Sequence, residues 1–119
     1  MIIFYIQTNN PLEVQKISNM DNHYIDFCPS IIPFVKREKG SLVFALINQK
    51  KVSKVIVPSI SVLGRNQIDV LNTIDFFINN DVSLISQAER LETMDEYGRV
   101  KSDTILFLNL FRSLANMEY

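Results

Sequence analysis

Apolar positions along the chain switch between two periods. Ile2 to Ile6 is an unbroken apolar run, the pattern of a strand buried on both faces of a parallel sheet. Tyr24–Phe27, Val55–Val57 and Val82–Ser86 carry shorter versions of the same signal. Between them the spacing becomes helical. Asn10 suits a cap, Pro11 the first helical position, and Glu13 the third residue of a capping box, so a helix is expected from there. Ser41 to Gln49 has helical spacing through Leu42, Ala45, Leu46 and Ile47. Asn66 can cap a helix to about Asn80, with Ile68, Leu71, Ile74 and Ile78 on one face. Glu92 to Lys101 contains Asp95-Glu96-Tyr97-Gly98, a turn signal for a small hairpin. Ser102 is then expected to cap a last helix to about Met117.

That last helix is apolar nearly all the way round, through Ile105, Leu106, Phe107, Leu108, Leu110, Phe111, Leu114, Ala115 and Met117. Such a helix is expected to be buried on every side. A sheet covers one side only, so a second copy of the chain is the economical cover for the other. Phe107, Leu110, Phe111 and Leu114 are the candidate interface residues, and packing on the chain's own hairpin is the competing explanation.

Strands alternating with helices define an α/β class with a mostly parallel sheet. The 119 residues read as one domain, 1–119, without a repeat, linker or low-complexity stretch. Apolar runs are too short for a membrane span, and the first residues lack the basic lead of a signal peptide, so a cytoplasmic location is expected. A single cysteine, Cys28, cannot close an internal disulfide. With one histidine, His23, beside it, the chain has too few ligands for a zinc site, and neither metal nor cofactor is expected. Cys28 reads as a small apolar group and His23 as a surface or strand-edge residue.

The net charge of −1 conceals an asymmetry. Residues 36–65 hold seven basic residues, among them Lys50, Lys51, Lys54 and Arg65, against Glu38 alone, whereas nine acidic and four basic residues follow. A basic middle can meet phosphate, though a solvated face explains it equally.

In α/β proteins chemistry gathers at the carboxyl ends of strands. Here the first strand ends in Gln7-Thr8-Asn9, and the third runs into "KVIVPSISVLGRN", Lys54–Asn66. These stretches, with "ILFLNLFRSLANMEY" at the end of the chain, resemble the N-terminal catalytic domain of the serine recombinases, the resolvases and invertases. Tyr5 stands where that family has a Tyr-x-Arg-x-Ser motif. Ser61-Val62-Leu63-Gly64-Arg65-Asn66 matches an Asp-Arg-Leu-Gly-Arg-Asp type motif. Ala115-Asn116-Met117-Glu118-Tyr119 stands at an Ala-x-x-Glu-Arg motif. The resemblance implies a three-layer domain with helices on both faces, strand order 2-1-3-4 and an irregular fifth element.

In the family a serine attacks a DNA phosphodiester while arginines stabilise the charge on the phosphoryl oxygens. This sequence departs from that pattern. Asn9 occupies the serine position, and a carboxamide nitrogen is a very poor nucleophile. Gln7 replaces the first arginine, Ser61 the aspartate, Val62 a further arginine and Tyr119 the last; Arg65 is retained. Thr8 is turned to the opposite face by strand alternation. Ser59 and Ser61 have the parity to face the cleft but no base near them in sequence. Arg65, just before the Asn66 cap, stands where an anion is favoured, unless it faces solvent or pairs with Asp69. If the chain ends at Tyr119, no DNA-reading domain is expected after the final helix, which holds only Arg112 as a cation. A phosphoreceiver would need a strand-end aspartate, which Pro58–Ser61 lacks.

The expectation is therefore a catalytically disabled recombinase-like domain that serves DNA recombination as a dimerisation or regulatory module. Its partner would be a second copy or a related, active recombinase subunit of a mobile element, with DNA contact weak and no membrane contact. Two alternatives remain: an active recombinase with an altered residue set, and a nucleic-acid-binding module using Lys50, Lys51, Lys54 and Arg65.

Overall fold

A computed structural model describes residues 1–17 and 20–117. In chain order the elements are β1 (Ile2–Thr8), α1 (Pro11–Ile17), β2 (His23–Phe27), α2 (Glu38–Asn48), β3 (Lys54–Val57), α3 (Gln67–Asn79), β4 (Ser83–Ser86), β5 (Leu91–Glu92) and α4 (Ser102–Met117). Short 3-10 turns at Phe34–Lys36 and Ile60–Leu63 precede α2 and α3. One sheet has the order β2-β1-β3-β4-β5, with the first four strands parallel and β5 antiparallel to β4. Thus the expected order holds, and the fifth element is a two-residue strand continued by a Met94–Val100 bridge across the hairpin. Right-handed crossovers in opposite directions put α1 on one face and α2 and α3 on the other.

The two faces are not equal. On the α2/α3 side Ile3, Tyr5, Val55, Val57 and Leu84 are fully buried under Phe34, Val43, Ile47, Ile74 and Phe77. Phe34 meets Tyr5 edge-on at 5.1 Å and Phe77 at 6.3 Å, and Phe44 stacks on Phe76 to join α2 to α3. On the α1 side Phe4, Ile6, Ile56 and Ile85 are only half-buried, because α1 has seven residues and buries none of them. The expectation of a strand enclosed on both faces therefore needs correcting: β1 is enclosed on one. His23 opens β2, the edge strand, and stacks on Phe4 at 4.6 Å.

Helix starts follow the local signals with three amendments. Asn66 Oδ1 accepts the Asp69 N–H at 2.8 Å, as a cap should. At α1, Asn10 Oδ1 accepts from Leu12 N–H at 3.0 Å, but Glu13 does not close the capping box on Asn10. Instead the Thr8 hydroxyl donates to the Glu13 carboxylate and accepts from the Asn10 N–H at 3.0 Å. Ser102 is the first residue of α4 rather than its cap, and the Lys101 carbonyl accepts the Ile105 N–H. The third amendment is α2, which begins at Glu38, three residues ahead of the expected start. Its cap comes from a distant strand.

That cap is Asp26, at the end of β2. One carboxylate oxygen accepts the Lys39 N–H at 2.7 Å, and the other accepts the Gly40 N–H at 2.8 Å and the Tyr5 hydroxyl at 2.7 Å. Tyr5 Oη in turn accepts from Arg37 at 3.1 Å. The Arg37 guanidinium, on a residue only 2% exposed, also donates to the carbonyls of Val62 (2.5 Å), Ile32 (2.9 Å) and Ser30 (3.3 Å). Gly40 is required here, because a Cβ would lie 2.1 Å from the Phe34 carbonyl oxygen. Arg37 was counted with the basic stretch, yet the four hydrogen bonds that its guanidinium donates all serve the fold.

Within the single chain α4 is covered on one flank only. Thr104, Leu108 and Ala115 are buried, and Phe107 and Phe111 pack partly against the core. Arg112 holds Asp75 of α3 with two contacts of 2.9 and 3.1 Å. The remaining flank is open: Leu106 is 70%, Leu110 63% and Leu114 50% exposed. A helix at the margin of one domain meets neighbours on one flank only, whatever its composition.

Removing Arg37 leaves three carbonyls and the Tyr5 hydroxyl without their donor. Arg37→Met should cost about 3–5 kcal/mol, a large share of the about 5–15 kcal/mol of a whole domain. Burial pushes the Tyr5 phenol far up. The folded chain thus keeps a proton that the unfolded chain releases near about pH 10, so this stability is complete below that pH and falls above it. Urea titrations between pH 8 and 11 should show the fall in the parent. Tyr5→Phe should flatten it at a cost of about 1–3 kcal/mol.

Candidate phosphate-binding cleft

The carboxyl ends of β1 and β3 and the turn into α3 open on a cleft of about 710 Å³, closed at the side by α4. Gln7, Ser61, Arg65, Gln67 and Glu89 give it polar lining; Ile60, Val70, Phe107 and Phe111 give it an apolar wall. Gly64 lets the turn lie close to α3, since a Cβ there would meet the Val70 nitrogen at 2.6 Å. Asp69 Oδ2 accepts the Arg65 N–H at 2.8 Å and the Phe34 N–H at 3.2 Å, tying this turn to the loop ahead of α2.

The expected site residues separate. Gln7 lines the cleft, but its amide nitrogen is engaged with the Cys28 carbonyl at 2.7 Å. Asn9 lies past the end of β1, exposed and outside the cleft lining. Val62 is buried, and only its carbonyl acts, toward Arg37. Arg65 is exposed at the cleft, and its guanidinium makes no hydrogen bond or ion pair among the described residues; Asp69 takes its N–H instead. Tyr119 lies outside the described residues. Lys50 and Lys51 follow α2 and Lys54 opens β3, at the amino ends of the parallel strands. The cleft is at the carboxyl ends, so these lysines and Arg65 do not share a surface. Phe107 and Phe111 face the cleft rather than standing free, whereas Leu110 and Leu114 are exposed.

Glu89 was not foreseen. It sits between β4 and β5 and accepts from Ser59 Oγ at 2.9 Å, from the Ile60 N–H at 3.1 Å and from Ser86 Oγ. Ser61 Oγ donates to Ser59 Oγ at 3.1 Å. Partial burial pushes the Glu89 carboxyl up, but the hydrogen bonds from Ser86, Ile60 and Ser59 outweigh it and hold the group below its usual range. The reading that no acid or base lies near these serines held for the local sequence only; a partner 30 residues away supplies one. Its signal was Ser86-x-x-Glu89, a hydroxyl and a carboxylate three apart at a strand end. Burial likewise raises the Cys28 thiol, which is half-buried.

The model of the resolvase N-terminal domain matches residues 17–119. The chain belongs to this family. Among solved structures, the N-terminal catalytic domain of TP901-1 integrase is similar to it, with a TM-score of 0.74 at 18% identity over 98% of this chain and 95% of that one. At that identity the likeness concerns the fold. No curated protein sequence matches. The α/β fold with its strand order is that of a resolvase-family domain.

Because Glu89 is held ionised in the folded state, its contribution is present above the unfolded carboxyl range and lost as pH falls through the lower folded value. Glu89→Gln should lower the urea midpoint at pH 7. It should also flatten the acid-side fall in stability, measured from pH 6 to pH 3.

Proposed function

We propose that this chain is a non-cleaving member of the resolvase family, acting in DNA recombination by docking to another recombinase subunit. The observation that carries this reading is the charge balance of the cleft. Among the described residues that line it stand one guanidinium without a hydrogen bond or ion pair, Arg65, and one carboxylate, Glu89. Phosphoryl transfer needs an attacking oxygen and several cations aimed at the developing charge. The resemblance aligns Asn9, which lies exposed outside the cleft lining, with the residue that carries the oxygen, and the buried guanidinium of Arg37 is spent on backbone carbonyls and the Tyr5 hydroxyl. Each missing charged donor costs about 10²–10³ in rate.

The docking surface is the open flank of α4. Leu106, Leu110, Leu114 and Met117 fall at i, i+4, i+8 and i+11, a single stripe about 16 Å long. A second copy can lay the same stripe against it across a two-fold axis. In this reading the ridge residues carry the contact, and Phe107 and Phe111 only support the helix from beneath.

A second reading has an observation of its own. Ser61 donates to Ser59, and Ser59 donates to Glu89, a relay that could pass a proton from an attacking Ser61 oxygen to a carboxylate. A carboxylate held below its usual range is a weak base, and its charge opposes a phosphate.

Light scattering should give the parent twice the chain mass, and Leu106→Asp with Leu110→Asp should give a single-chain mass with an unchanged melting temperature. A monomeric parent rejects docking between copies. Incubation with nicked or supercoiled DNA beside a working serine recombinase should yield no protein–DNA adduct. An adduct lost in Ser61→Ala would establish the relay instead.

A further inference from the structure

We infer that the outer edge of β2 is a pairing site for a second copy of this chain, β2 against β2 in antiparallel register about Ile25. β2 closes one side of the sheet and pairs with β1 alone. The register fixes which way its backbone points. The Phe4 N–H reaches the Asn22 carbonyl at 3.0 Å, and Phe4, Ile6 and Thr8 stand opposite His23, Ile25 and Phe27. In a parallel ladder a residue that bonds its neighbour brackets the residue opposite, so Tyr24 and Asp26 bond inward to β1. The N–H and C=O groups of His23, Ile25 and Phe27 are left pointing away from the sheet, with no backbone partner among the described residues. Edge strands are ordinarily guarded by lysine, proline, a bulge or extreme shortness. The opposite edge is guarded in that way: β5 has two residues and carries the Glu92–Lys101 ion pair. β2 has five residues without lysine, arginine or proline, and its one carboxylate, Asp26, is turned inward and filled.

The strand's own sequence selects a second copy as the occupant. About a two-fold axis at Ile25, His23 of one chain lies opposite Phe27 of the other, and Ile25 lies opposite its own copy. Each of these pairs exchanges both of its N–H···O=C bonds, which uses every outward group of the three residues. His23, Ile25 and Phe27 share the α1 face, where His23 already stacks on Phe4 at 4.6 Å. The imidazole gains a second aromatic neighbour in the partner's Phe27, a side chain 58% exposed in the single chain. On the other face Tyr24 meets the buried Asp26, so no charge meets a like charge across the seam. Pro29 falls opposite Asp21 and ends the ladder there. A ladder this short holds two free chains weakly, with a dissociation constant on the order of 1 mM. The masses expected from light scattering in dilute solution therefore stand, and the edge joins chains only where they are concentrated.

The contact goes beyond docking through α4 and is separable from it. Sedimentation equilibrium would follow the Leu106→Asp with Leu110→Asp variant from about 10 µM to about 2 mM. Its mass should rise from that of one chain toward that of two, and the parent should double its own mass likewise. The amide signals of His23, Ile25 and Phe27 should shift with concentration in nuclear magnetic resonance spectra. Ile25→Pro removes an outward N–H and leaves the bonds to β1 in place, so it should weaken the association at least about tenfold. Phe27→Lys, at an exposed side chain, should do the same. A single-chain mass at every concentration overturns the proposal, as does an association that neither substitution weakens. A labelled peptide of residues 22–28 should bind the edge, and a scrambled peptide bound as tightly overturns pairing with a second copy. Should Ile25→Pro fail to melt cooperatively, Phe27→Lys decides. A parent that is a single chain when dilute ends the α4 reading, whereas a rise in its mass with concentration, lost in Phe27→Lys, still upholds pairing at β2.

Discussion

The buried chain Asp26–Tyr5–Arg37 holds the carboxyl end of the sheet in place. It joins β1, β2, the first turn of α2 and the segment leading to α3 through hydrogen bonds of 2.5–3.3 Å. A buried guanidinium is tolerable only when its donors are filled. Arg37 directs four of its five N–H donors to three backbone carbonyls and a phenol, and so fixes the loop from Ser30 to Arg37 and the turn at Val62 at once. Asp26 takes two N–H groups at the start of α2, where the helix dipole favours a negative charge. None of these partners can be removed without leaving another buried polar group bare. The shape of the cleft follows, because Gly64, Arg65 and Asn66 hang directly from the Val62 turn.

Such an arrangement separates the form of the cleft from the side chains at its rim. The groups that set the form point into the protein: Arg37, Asp26, Asp69 and Gly64. The groups that would set the chemistry, Gln7, Asn9, Ser61 and Arg65, are at least partly open to solvent or hydrogen-bonded at the rim. Substitution at the rim costs little stability, so residues there are free to change while the fold endures. Fold and activity are therefore separable in this domain.

What the sequence made legible was local. Asn66 announced α3 because a cap and its N–H are three residues apart. The strands showed as apolar runs, and Gly98, at a positive φ of 77°, marked the hairpin turn. What stayed hidden joins residues far apart along the chain: Asp26 to Lys39 across 13 residues, Ser59 to Glu89 across 30 and Tyr5 to Arg37 across 32. Charge type alone cannot say whether an arginine is solvated or buried, so Arg37 passed for part of a basic surface. The early start of α2 was invisible for the same reason, since its cap belongs to another strand. Resemblance carried the topology, including the order of strands, which periodicity alone does not set.

The last helix shows why composition is a poor guide to burial. Its apolar residues divide into two stripes with different work. Leu108 and Ala115 enter the core with Phe107 and Phe111 beside them, and the latter pair reaches the cleft. Leu106, Leu110 and Leu114 face out. An aspartate on the outer stripe adds charge in water at small cost to the single chain, whereas one at Leu108 would bury it. Selection for a soluble, isolated domain would therefore readily replace the outer leucines with polar residues. Their presence at four-residue spacing on the flank opposite the Arg112–Asp75 clasp is the feature on which the proposed docking to another subunit rests.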